Sequence, residues 1–96
     1  MNDLFKDVEA VLKQRGEDYG HFQDNFYDVA RMWSTVADTV IMADKVLLCM
    51  VCLKLAREKN NPKYDNVIDM VGYLKLYSDM MHSEPEATPT PAGEKV

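Results

Sequence analysis

From Val46 to Leu53 the chain carries eight apolar residues without interruption, held between Lys45 and Lys54. A membrane span needs about 20 such residues, so this run is far too short to cross a bilayer and reads as the middle of a buried helix. The helix should extend from near Ala43 to Glu58, apolar on every side in its centre because several neighbours contact it. Asn60-Asn61-Pro62 then breaks it, with Asn61 suited to an N-cap and Pro62 to the first position of a following helix. That fourth helix should run to about Met81, with Val67, Ile68, Val71 and Leu74 on one face. A break this short folds the two helices into an antiparallel hairpin.

Two further helices precede the hairpin. Leu4, Phe5, Val8, Val11 and Leu12 fall at helical spacing over residues 3–15, and Gly16 is the expected stop. A polar connection from Gly16 to Gly20 leads to Phe22, Phe26, Val29, Ala30 and Trp33, again at helical spacing, and residues 34–39 read as a linker. The expected architecture is therefore all-α, about four helices with the hairpin of helices 3 and 4 at the centre. Residues 1–82 should form this domain. Residues 83–96 should form a disordered tail, since 83–93 hold three of the four prolines and no large apolar side chain.

Composition narrows the function. A hydrophobic share of 47% with 28% charged residues is a globular balance, but 96 residues give a small core, which points to a homo-oligomer. The net charge of −5 argues against a general nucleic-acid binder, because a phosphate backbone demands a basic face. Met1 to Lys13 holds acidic residues and no secretory apolar block, and only Cys49 and Cys52 are available for disulfides. Both features predict a cytoplasmic protein without a membrane partner. The two cysteines lack a second pair and are expected as small buried apolar groups rather than zinc ligands.

Polar residues that could carry chemistry concentrate on the hairpin. Lys54 and Arg57 lie one turn apart on helix 3, and Asp65 and Asp69 one turn apart on helix 4, with Gly72 and Tyr73 a turn further on. Antiparallel packing should bring Arg57 towards Asp65 and Lys54 towards Asp69. A lysine inside so apolar a run needs a partner or a ligand. Two readings fit. The four residues form ion pairs that set the register of the hairpin, or they form a phosphate site in which Lys54 and Arg57 meet phosphate oxygens. In the second reading Asp65 and Asp69 could hold magnesium through carboxylate oxygens. The segment Arg15-Gly16-x-x-Tyr19-Gly20-x-Phe22 offers the polar tips of Arg15, Tyr19 and His21, and is explained equally well as a helix-to-helix corner.

The series Arg15-Gly16-x-x-Tyr19-Gly20-x-Phe22, Ala30-x-x-Trp33, Leu53-Lys54-x-Ala56-Arg57 and Asp65-Asn66-x-x-Asp69-x-x-Gly72-Tyr73 resembles a group of small tailed-phage proteins of unassigned function. The likeness covers roughly residues 8 to 77. Through that group the chain more distantly resembles the MazG-like, all-α nucleoside triphosphate pyrophosphohydrolases. The resemblance implies an oligomeric helical bundle in the host cytoplasm that handles nucleotides with Mg²⁺. Taken with the residues already singled out, the expected nucleotide or phosphate site comprises Lys54, Arg57, Arg15, Tyr19 and Tyr73, and the expected metal ligands are Asp65, Asp69 and Glu58, of which the resemblance itself carries over only Asp69. Members of that superfamily carry Glu-Glu-x-x-Glu on one helix and Glu-x-x-Asp on the next. Here Lys54, Arg57 and a single Glu58 stand in place of the first cluster, and only Asp69 matches the second directly. Replacing acids with cations removes the charge that holds Mg²⁺, and metal-assisted hydrolysis depends on that charge. A pyrophosphohydrolase and a non-catalytic module that binds a nucleotide or a host protein are therefore both expected readings.

Overall fold

The computed structural model describes the backbone of residues 3–19 and 22–82 and the side chains of residues 3–16 and 24–82. The expected disordered tail, and the tips of Tyr19, His21 and Phe22, lie outside the described residues. Four helices and no strand appear among those described: α1 (Leu4–Tyr19), α2 (Phe22–Ala37), α3 (Ala43–Asn60) and α4 (Tyr64–His82). None of them is long and apolar enough to cross a membrane.

Helix α1 starts where Asp3 caps it, its carboxylate accepting from the Lys6 N–H at 3.2 Å. It does not stop at Gly16 but continues to Tyr19. A glycine inside a helix costs only about 1 kcal/mol relative to alanine, and an ion pair made by Arg15 fastens that turn from outside. Helix α2 likewise outruns its expected end, because residues 34–37 are helical rather than linker. Its true stop is a left-handed residue, Asp38 at φ 56°. The Thr39 N–H donates to the Ser34 carbonyl at 3.2 Å and the Asp38 N–H to the Thr35 carbonyl at 3.4 Å, the paired bonds of a Schellman ending. The Ser34 hydroxyl then accepts from the Ile41 N–H at 2.8 Å and donates to the Ala30 carbonyl at 2.7 Å. This one side chain ties the α2–α3 connection back onto α2.

The hairpin forms as expected, and α3 and α4 are the most closely packed pair. Its corner differs in detail. Asn61 ends α3, with its N–H donating to the Arg57 carbonyl at 2.8 Å, and α4 begins at Tyr64 rather than Pro62. Glu58 reaches across the break. Its carboxylate accepts from the Lys63 N–H at 2.9 Å and from the Asn66 amide at 3.2 Å, so an acid of α3 supplies the capping that Asn61 was expected to give. Among the described residues Asn66 is the one buried polar side chain, and it also faces the Asn61 carbonyl.

The core lies where α2, α3 and the second half of α4 meet. Phe26, Ala30, Ala43, Val46 and Leu47 are buried there, and Trp33, Tyr73, Leu76, Tyr77 and Met80 pack around them. Leu74, expected on the inner face of α4, is exposed. Helix α3 is also covered on fewer sides than its apolar run suggested. Cys49, Cys52, Leu53 and Leu55 are exposed, so the expectation of buried cysteines is corrected: α2 and α4 cover two sides of α3 and leave the third bare.

Helix α1 closes over α4, burying Val8, and the Tyr64 phenol donates to the Asp7 carboxylate. That bond and the nearby acids push the Tyr64 pKa up from 10.0 to about 12, because ionising the phenol would break the bond and set two anions side by side. A raised pKa means that the contribution of this link is fully present below pH 10.0 and is lost as pH climbs towards about 12. Ultraviolet titration should show one late-ionising tyrosine that disappears in Tyr64→Phe. A variant with the same titration curve as the wild type would contradict the bond.

Candidate functional site

The least exposed of the described ion pairs is built on Asp69. Its Oδ2 lies 2.8 Å from Lys54 Nζ and its Oδ1 lies 3.0 Å from Arg15 Nη2. One carboxylate thus bridges two cations that arrive from different helices, α3 and α1. The Lys54 and Asp69 side chains are 15% and 12% exposed, whereas Arg15 is 37% exposed. Lys54 is therefore the partner that stays with Asp69, and Arg15 is the cation nearer to water. Within this triad of described residues two positive charges meet one negative, and the more exposed of the two is Arg15. No described buried side-chain polar atom is left without a hydrogen-bond partner.

All three residues of this triad line an open cavity of about 300 Å³ to which each of the four helices contributes. Arg15, Asn25, Lys54 and Asp69 supply its polar end. Val8, Leu12, Phe26, Ile68, Tyr73 and Leu76 supply apolar walls. Phe26 and Tyr73 meet edge to face, with ring centroids 5.9 Å apart, which fixes both rings at the wall. Gly72 also lines the cavity, on the α4 surface turned towards Leu12. A methyl group there would lie 3.6 Å from Leu12 Cδ2, so the absence of a side chain keeps the space open rather than relieving a clash.

Of the residues proposed from sequence, Arg15, Lys54, Asp69 and Tyr73 come together here. Arg57 does not. It is exposed at the far end of the hairpin, beside Asn60, Asn61, Lys63 and Asn66 around a second depression of about 310 Å³. Asp65 is exposed and makes no ion pair with Arg57. The reason is register. With Lys54 opposite Asp69, the turn that faces Arg57 and Glu58 is occupied by Asn66, and Asp65 one residue earlier is rotated about 100° away around the helix. Glu58 is spent on the corner. No group of three or more His, Cys, Asp or Glu side chains gathers anywhere among the described residues. Glu58, Asp65 and Asp69 therefore do not converge, and both oxygens of Asp69 already face cations. Such a donor set does not fit Mg²⁺, and no reaction step is routed through a metal. Asn25 and Leu12 escaped the sequence reading, since nothing in helical spacing separates a cavity-lining asparagine from a solvated one.

A family model described as a domain of unknown function, DUF6378, matches residues 4–81. The Gene 55 protein of Mycobacterium phage L5 is 31% identical over 91 residues, an overlap of 93% of this chain and 58% of the phage protein. The Gene 55 protein of Mycobacterium phage D29 is 31% identical over 77 residues, covering 75% of this chain and 51% of that protein. The chain thus spans little more than half the length of these curated relatives. No solved structure matches. The phage origin of both relatives agrees with the phage group that the sequence motifs resemble.

Proposed function

The chain belongs to the DUF6378 family of unknown function, with relatives in mycobacteriophages, and from that premise we propose that it is a MazG-like helical module that binds a nucleotide through its phosphate without hydrolysing it. The single observation that carries this reading is the excess positive charge of the Arg15–Asp69–Lys54 group at the mouth of a cavity of ligand size. Arg15 is the hook: a guanidinium held on one edge by Asp69 keeps other N–H donors for phosphate oxygens. Lys54 and Asp69 are positioning residues. The scattered acids Glu58, Asp65 and Asp69 favour binding over the pyrophosphohydrolase reading, which needs clustered carboxylates to hold its metal.

The test is a panel of NTPs, dNTPs and monophosphates with Mg²⁺, read by product analysis and by melting temperature. The expected result is no pyrophosphate release and a rise in melting temperature with part of the panel. Saturation to 100 times the dissociation constant adds about 2.7 kcal/mol of stability. Arg15→Gln should abolish the rise while leaving the unliganded melt close to wild type, because that side chain is more than a third exposed. Release of pyrophosphate would make the protein a hydrolase, and a panel without any effect would end the nucleotide reading.

A homo-oligomer is part of the same proposal. Val36 and Val40 are 88% and 80% exposed, and Met32 and Met42 stand exposed on α2 and at the α2–α3 connection. Apolar side chains this open along one connection mark a surface that another protein covers. Sedimentation of the wild type at micromolar concentration should show a dimer or larger species, and a monomer would contradict it.

A further inference from the structure

Charge and volume at the Arg15 cavity restrict its ligand further than the word nucleotide does. The triad holds Arg15 and Lys54 against Asp69, an excess of one positive charge. Arg57, the other cation proposed from sequence, stands one turn further along α3, exposed at the hairpin corner, and lines a different depression. A headgroup carrying one phosphate is therefore matched to within about one charge. A triphosphate would bring two or more uncompensated negative charges beside the Asp69 carboxylate, in a partly desolvated place where like charges cost most.

Shape points the same way. A volume of about 300 Å³ sits at the lower end of the range of small-molecule pockets, roughly 300 to 1,000 Å³. Apart from Arg15, Asn25, Lys54 and Asp69, the described lining is hydrocarbon and aromatic ring, Leu12, Phe26, Ile68 and Tyr73 among it. There the Tyr73 phenol is the one side-chain donor among the described lining residues, too few for a polyphosphate chain, whereas a flat ring finds apolar contact on several sides. We infer that the cavity takes a ligand with a single anionic headgroup joined to a flat apolar body, and discriminates against polyphosphates. Resting on the nucleotide-binding proposal, this names the ligand class as nucleoside monophosphates.

Calorimetric titration of the full chain in metal-free buffer separates the alternatives, using dTMP, dTTP, AMP, ATP, thymidine and inorganic phosphate as probes. At least one monophosphate should bind roughly tenfold or more tightly than its triphosphate, its free nucleoside and inorganic phosphate. Arg15→Gln should bring that monophosphate down to the level of the nucleoside. A triphosphate that binds as tightly as its monophosphate overturns this inference and leaves nucleotide binding standing. Inorganic phosphate that binds as tightly as a monophosphate overturns it by removing the apolar half of the recognition. Silence of all six probes removes the nucleotide-binding proposal itself.

Discussion

Asp69→Ala should lower the folding free energy by about 3 kcal/mol, near the low end of the roughly 3–5 kcal/mol seen when one member of a buried ion pair is removed. The substitution strands Lys54, whose side chain is only 15% exposed, beside an Arg15 guanidinium that it can no longer share an anion with. Arg15 can turn to water. Lys54, set among the apolar residues of α3, can do so only in part. For a domain of this length 1 kcal/mol moves the melting temperature by about 4–8 °C, so the drop should exceed roughly 12 °C. Replacing the pair together, Lys54→Met with Asp69→Leu, should recover most of it, since hydrophobic residues of similar size often substitute for a buried pair at little cost. A single variant that melts within about 4 °C of wild type would show that Lys54 does not depend on Asp69.

Leu47→Ala should cost a similar amount. Among the described residues Leu47 and Val46 are the only large side chains fully withdrawn from solvent, and Leu47 sits where α2, α3 and α4 meet. Removing buried leucine side chains costs about 2.7–5 kcal/mol, the lost transfer energy plus that of the cavity left behind. The informative comparison is Leu55→Ala on the same helix. Leu55 is 58% exposed, so its truncation should change stability by no more than about 0.5 kcal/mol. Chemical denaturation of both variants reads which side of the apolar run faces the interior. Equal losses at the two positions would mean that the bare side of α3 is covered after all.

The apolar run and the Asn-Pro break together determine the hairpin, and the hairpin determines the Lys54–Asp69 pair: a lysine among apolar residues has to meet an acid, and antiparallel packing offers Asp69. That much is local, and the sequence carries it. The Arg57–Asp65 pair failed because it carried the Lys54–Asp69 register one turn further, where Asn66 and not Asp65 faces α3. With α4 starting at Tyr64 and Glu58 capping it, Asp65 points outward and Asn66 fills the corner. Arg15 joins Asp69 across 54 residues of chain, a contact that depends on how α1 folds back over α4, and no spacing rule reaches that far. The two exposed cysteines make the same point from the other side. An apolar run shows that a helix is in demand as a neighbour, but not which neighbours the single chain supplies.

A surplus guanidinium at the mouth of an apolar cavity is most directly tested by following arginine side-chain nitrogen signals in a ¹H–¹⁵N NMR titration with dTMP and with AMP. The Arg15 guanidinium should shift and saturate with at least one of them, together with the Asn25 amide, while the Arg57 guanidinium stays still. Shifts centred on Arg57, or an Arg15 signal unmoved by either nucleotide, would contradict the placement of the anion site.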